Sequence, residues 1–391
     1  MSSISLDSFS NKKVALVLSG GVAKAAAWHL GVALALTELG FTLKNNDSKP
    51  SEFEIGTYVG SSAGALISLF FASGLTPMDL IEAHLDGSNS KIRPITYRDM
   101  LALKRPMKNP PKGKNYDPFE GFPTMIKRLL SPLMGVSGLF STTGLRNYIE
   151  ENVIISNSFD DYKSDLFIVA TQLDHSRKVI FSKYNYPNPT HDNTATYYTD
   201  IPVVESVAAS MSVPPFYSPY PVVNPHTGKT DYYIDGEIRE TLSTHVGVDN
   251  NCEYLISSWT HTPYHFFDEV GSLINYGLPA ICTQSIYLMI QKKIVSARAR
   301  HDSSKDIIDT VNDYLKKEKF ENIQRKQLIS ILERKMNYNP NVKFIDIYPK
   351  HNNYKIFFQN SFSLNPEKMS HLVTGGYKRT LEVFKNKEWE E

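Results

Sequence analysis

The chain of 391 residues has little cysteine, almost no charge imbalance and no long apolar run. Its two cysteines, Cys252 and Cys282, stand 30 residues apart, and no Cys-x-x-Cys occurs. That excludes a disulfide framework and a thiolate metal site, and two free thiols buried as small hydrophobes are expected. Basic and acidic residues nearly cancel, 42 against 41. Net charge therefore offers nothing to nucleic acid, and there is no charged tail. The Ser-rich opening from Met1 to Asn11 lacks the basic-then-apolar order of a secretory signal. No stretch reaches ~18 uninterrupted apolar residues. These absences predict no membrane span, and a cytoplasmic or peripheral membrane location. Internal repeats and low-complexity tracts are missing too.

What is present is a substantial core: 41% of residues are hydrophobic, with 22 Tyr and 20 Phe. A short apolar run, Val14 to Leu18, precedes Ser19-Gly20-Gly21 and an alanine-rich helical stretch from Lys24 to Leu39, closed by Gly40. A second run, Ile55 to Val59, leads into Gly60-Ser61-Ser62-Ala63-Gly64 and a helix to Ser73. Strand, helix, strand, helix in this order predicts a parallel α/β sheet. The alternation breaks near Leu85, where a Lys- and Pro-rich insertion runs to about residue 140. It reads as a solvated loop or as a segment that touches anionic membrane. Order returns with a helix over Thr143–Glu151 and strands over Asp165–Asp174 and Lys178–Ser182. A short helix over Pro202–Ser210 follows, then strands at Tyr232–Ile234 and Tyr254–Ser257. Phe266 to Leu332 reads as helical, Val342–Tyr348 as a late strand, and Asn365-Pro366 as the start of a last helix to about Phe384.

Two of these turns carry chemistry. Gly-x-Ser-x-Gly between a strand and a helix lifts its central serine, Ser62, out of a sharp corner, with small neighbours where Cβ atoms would collide. The helix that begins at Ala63 points its positive end at that serine. The bland alternative is a turn serine that only caps the helix. The Gly20-Gly21 turn aims bare backbone N–H groups at an oxygen, as an oxyanion hole requires. Asp235-Gly236 closes a strand, and read alone it is equally an ordinary turn aspartate.

Taken together, these motifs resemble the patatin-like phospholipases. Leu18-Ser19-Gly20-Gly21-Val22-Ala23-Lys24-Ala25 is similar to that family's glycine-rich opening, Gly60 to Gly64 to its nucleophile elbow, and Asp235-Gly236 to its Asp-Gly motif. Ala209-Ser210-Met211-Ser212-Val213-Pro214 matches its Ala-Ser-x-Ala-x-Pro stretch. The resemblance implies a three-layer α/β/α fold with a mainly parallel sheet. It also implies a Ser62–Asp235 dyad without histidine, and an oxyanion hole from the backbone of Gly20, Gly21 and Val22. Gly60, Gly64 and Gly236 shape the turns, and Lys24 holds the loop or meets a headgroup. The implied reaction cleaves a fatty-acyl ester of a phospholipid, a lysophospholipid or another acyl lipid. It needs no metal and no organic cofactor.

The pattern is not matched everywhere. Val22 and Ala25 replace two glycines of the opening, Glu237 replaces the glycine after Asp235-Gly236, and Thr241 and Ser243 replace a downstream asparagine and proline. Valine resists positive φ, so the loop is expected to keep an ordinary angle at Val22 or to be distorted. These departures keep a catalytically weak lipid-binding protein open as an alternative, beside a neutral-lipid lipase or acyltransferase. A Ser-His-Asp triad is the rival mechanism, with His245, His261 or His265 following Ser62 and Asp235 in order. Residues 1–12 are expected to be a flexible N-terminus, 13–260 the catalytic domain, and 261–391 a mostly helical region packed on it. Within the last, Phe266 to Ile290 is apolar and aromatic, followed by Lys292, Lys293, Arg298 and Arg300. It reads as core with a basic cap, or as a helix that docks on a bilayer surface.

Overall fold

The computed structural model describes residues 5–85, 87, 91–104, 120–130, 136–186, 194–225 and 227–389. Strand β1 (Val14–Leu18) is buried along its whole length and runs into α1 (Val22–Leu39). Strand β2 (Glu54–Ser61) runs into α2 (Ala63–Ala72), a helix with no exposed residue. Then come β3 (Asp165–Gln172), β4 (Arg177–Phe181), β5 (Ala195–Tyr198), α3 (Val203–Ser210), β6 (Tyr220–Val223), β7 (Thr230–Asp235) and β8 (Tyr254–Ser258). The C-terminal part adds α4 (Gly277–Lys317), α5 (Asn322–Met336), β9 (Lys343–Ile347) and α6 (Pro366–Asn386).

The central sheet has the order β9-β8-β1-β2-β3-β7-β6, with β4 and β5 paired beyond β3. From β9 to β3 all pairings are parallel, while β7 lies antiparallel to β3. Parallel strands need both faces covered. Alternation along β1 sends Val14, Leu16 and Leu18 into a core with α1, α2 and α6, and Ala15 and Val17 into a second core with Val246, Ile290 and Ile294. The result is three layers, α/β/α. Helices α1 and α6 meet unusually closely. A Cβ on Gly31 would fall 1.9 Å from the Val373 carbonyl oxygen, and one on Gly376 would fall 2.3 Å from that of Trp28. Asn365 caps α6 by accepting the Lys368 N–H at 3.1 Å, with Pro366 at the first helical position.

Several expectations need correction. Phe266 to Ser272 is not helical; one short 3-10 turn over Leu273–Tyr276 precedes α4, and α4 and α5 are separate helices. Strands β5 and β6, four residues each, gave no clear signal because runs so short carry little periodicity. Cys252 is buried as expected, but Cys282 is exposed on α4. Two helical segments among the described residues are long and apolar enough to cross a membrane by length and composition. Helix α1 is 67% buried in the fold, whereas the window within Leu273–Lys317 is only 11% buried. Most of the Lys- and Pro-rich insertion lies outside the described residues.

Candidate active site

Both glycine turns and the end of β7 meet at one end of the sheet. β1 and β2 are adjacent and parallel, so their C-terminal ends, Leu18 and Gly60, are register partners. The Asp235 end of antiparallel β7 pairs with Ala170 of β3. Loops at the carboxyl ends of a parallel sheet converge in this way, and that is where α/β sheets hold their sites.

Ser62 occupies the corner between β2 and α2 with φ 53° and ψ −120°, a conformation a side chain rarely adopts. Its hydroxyl accepts no capping bond from the helix it precedes, so the capping role is not what it performs. The corner is held from outside: the Ser62 N–H donates to Ser210 Oγ at 2.8 Å, and Ser210 Oγ donates to the Val169 carbonyl at 2.6 Å. Tight packing also demands small residues, since a Cβ on Gly64 would lie 2.2 Å from the Leu18 carbonyl oxygen. Gly60 and Gly236 are confined just as closely by backbone.

Asp235 is buried beside Ser62, and its Oδ1 accepts the Glu237 N–H at 2.9 Å. Burial pushes its carboxyl up to about 7, against the Ser62 hydroxyl and the Glu237 N–H, which both hold it down. The Asp235 N–H in turn donates to the Ser212 carbonyl. The stretch Ser210–Ser212 therefore braces both Ser62 and Asp235, a role no composition signal displays. Ser62 opens on an apolar cavity with Val22, Ala26, Leu66, Met100, Leu145, Met211 and Met369 in its wall. Its free volume is about 70 Å³. Small-molecule pockets run to roughly 300–1,000 Å³, so an acyl chain enters only if these walls move apart.

The glycine turn holds two surprises. Val22 takes φ 57°, the positive angle that valine resists, so the loop keeps the glycine-type geometry at the cost of strain. The Gly20 N–H is already engaged: it donates to Glu237 Oε1 at 2.7 Å. Glu237 Cγ sits 2.7 Å from where a Gly20 Cβ would be, and Oε2 is sealed from solvent on the side of Thr241. Burial and the nearby Asp235 raise the Glu237 carboxyl well above the usual range. No backbone acceptor meets the N–H of Gly21 or Val22 among the described residues.

Sequence reasoning missed His29. It is fully buried, with one ring nitrogen 2.9 Å from the Ser19 carbonyl and the other 2.8 Å from Ser258 Oγ, tying the glycine turn to β8. Burial holds it neutral, its pKa lowered to about 4. Lys24 does not face a headgroup. It is buried, donating to the Tyr287 hydroxyl at 2.7 Å and to the Ile356 carbonyl at 3.3 Å. The three triad candidates lie in different places. His245 lies against Glu240 and Lys178, His265 against His351, and His261 packs beside Gly21 on the ring of Tyr287. Another histidine, His84, lines the Ser62 cavity, but both its nitrogens are engaged, with the Leu80 carbonyl and the Ile95 N–H.

A family model described as patatin-like phospholipase matches residues 16–247, a span that holds both turns, Ser62 and Asp235. The chain belongs to the patatin-like phospholipase family. The general activity that goes with this family is hydrolysis of acyl lipids. Among solved structures, VipD from Legionella pneumophila aligns at 17% identity with a TM-score of 0.40, over 96% of this chain and 67% of that one. No curated protein sequence matches the chain. The mostly parallel sheet between helical layers is the architecture the family reading requires.

Proposed function

We propose that this patatin-like chain is a phospholipase A or lysophospholipase that cleaves a fatty-acyl ester through an acyl-enzyme on Ser62, with Asp235 as its only base. The observation that carries the reading is the strained Ser62 corner next to a buried carboxyl whose pKa is raised to about 7. A carboxylate of ordinary pKa is a weak base toward a hydroxyl, and desolvation strengthens it. Asp235 takes the Ser62 proton as Oγ attacks the ester carbonyl. The tetrahedral oxyanion is held by backbone N–H groups of Gly20, Gly21 and Val22. Collapse breaks the ester C–O bond, and Asp235 returns the proton to the leaving alcohol. Water then attacks the acyl-serine, gives its proton to Asp235, and the fatty acid leaves as Ser62 is reprotonated. An acceptor alcohol in place of water would make the same site an acyltransferase. Residues 13–260 would form the catalytic unit and 261–391 a packed helical addition, working in the cytoplasm or at a membrane surface.

A second reading, a lipid-binding protein of weak activity, is favoured by the Glu237 carboxyl on the Gly20 N–H. A fluorophosphonate probe, with intact mass measured on wild type, Ser62→Ala, Ser61→Ala and Asp235→Asn, separates the two. One adduct, lost in Ser62→Ala, kept in Ser61→Ala and reduced in Asp235→Asn, is expected. An unlabelled wild type in the presence of phospholipid vesicles would refute the hydrolase.

A further inference from the structure

The long helix α4 has one face that the fold leaves uncovered. Tyr287, Ile290 and Ile294 are buried against the protein. The opposite face, at helical spacing, carries Leu278, Ile281, Leu288 and Met289; Leu278 is 71% exposed and Met289 64%. Ile274 and Tyr276, just before the helix, are exposed as well. Apolar side chains exposed together along one helix face mark a place of contact. One turn beyond Met289 the face changes character. A cavity of about 610 Å³ opens between α4 and the loop after Asp235, with Lys178, Arg239, Lys292, Lys293, Arg298 and Arg300 in its wall. Lys178 pairs with Glu240 and Arg298 with Asp346. Arg239, Lys292, Lys293 and Arg300 form no ion pair among the described residues. The whole chain is nearly neutral, so this concentration of cations is local.

We propose that this face of α4 docks flat on an anionic phospholipid surface, its apolar side chains entering the acyl boundary and the four cations meeting headgroup phosphates. An apolar stripe that adjoins a cluster of cations fits that surface and fits neither a neutral protein groove nor a second copy of the same positive patch. The helix also touches both loops of the site. Tyr287 accepts from Lys24 just beyond the glycine turn, and Lys293 donates to the carbonyls of Ile238 and Arg239 just beyond Asp235. Docking by α4 therefore places on the bilayer the helix that braces both loops of the site.

The test uses the full chain with Ser62→Ala, so that vesicles stay intact, and co-sedimentation with phosphatidylcholine vesicles with and without phosphatidylserine. The parent is expected to bind the anionic vesicles more tightly, and less so as salt rises. Adding Leu278→Asp with Met289→Asp is expected to weaken binding at least about tenfold on both vesicles. Adding Lys292→Glu with Arg300→Glu instead is expected to abolish the anionic preference. All four positions are exposed, and circular dichroism melts check that the fold survives. Equal vesicle binding by parent and apolar variant would overturn the proposal, as would no binding by the parent. Light scattering that shows a dimer dispersed by the same apolar variant would assign the face to a second copy and overturn it too. With Ser62 intact, the apolar variant is expected to hydrolyse a soluble short-chain ester as the wild-type chain does. Absence of that reaction in the wild-type chain would sink the hydrolase reading and leave the docking result standing.

Discussion

Glu237 occupies a donor that the proposed reaction needs, and replacing it is the sharpest perturbation available. Its Oε1 receives the Gly20 N–H at 2.7 Å, a distance at which an oxyanion-hole donor also works. Before substrate can use that N–H the carboxyl must leave. Breaking one such hydrogen bond costs about 1–2 kcal/mol net. Because 1.4 kcal/mol is tenfold in rate, Glu237→Gly is expected to raise kcat/KM roughly 5- to 30-fold. Glu237→Gln keeps an oxygen that can accept from Gly20 and is expected to stay near wild type. The assay is hydrolysis of a soluble short-chain ester, which removes any contribution of vesicle binding, with a thermal melt alongside. A fall in kcat/KM for Glu237→Gly, with Glu237→Gln unchanged and both variants folded, would refute the reasoning. It would mean that the carboxyl supports the turn and does not compete for its N–H.

Further consequences concern the same loops. Activity should fall as pH drops through about 7, where Asp235 takes up a proton and ceases to be a base. The same raised value predicts a stability effect. Unfolded Asp235 ionises near 3.8, so between there and about 7 the folded chain holds the extra proton and loses stability as pH rises. Charging it in place costs on the order of 4 kcal/mol, so Asp235→Asn should be inactive yet more resistant to denaturant at pH 8 than at pH 4, relative to wild type. Val22→Gly relieves a β-branched residue at φ 57° and should stabilise the fold by about 1 kcal/mol, read by urea melts. His29→Ala empties a buried site and breaks two bonds, for a loss of about 3 kcal/mol. His29 has the opposite pH sign to Asp235: its pKa is lowered to about 4, so stability is kept above the unfolded value of 6.5 and lost as pH falls through 4.

Much of this protein was legible in its residues. A short apolar run that ends in a glycine turn suits a strand buried on both faces, and Gly-x-Ser-x-Gly between such a strand and an alanine- or leucine-rich helix leaves the backbone few options. Hence β1, α1, β2 and α2, the Ser62 corner and the Asp235 end of β7 could all be placed from local pattern alone. Those features rest on interactions within a few residues of each other, or on alternation that one strand displays by itself. The face of α4 was ambiguous for the same reason. Apolar residues at helical spacing state that a helix has a hydrophobic side, but not whether a neighbour arrives to cover it.

The tertiary structure decided what depended on distant chain segments. Gly20 and Glu237 are 217 residues apart in sequence, and only the meeting of the β1 and β7 ends turns a replaced glycine into an occupied donor. Ser210 braces Ser62 across 148 residues, and His29 reaches Ser258 across 229. The strained angle at Val22 is likewise a tertiary result, since valine's own preference is for negative φ and the surrounding packing overrides it. Local sequence determined which residues could do chemistry. Long-range packing determined which of them stand ready for it, because a hydrogen bond or a shared cavity is formed by neighbours in space, wherever they lie along the chain.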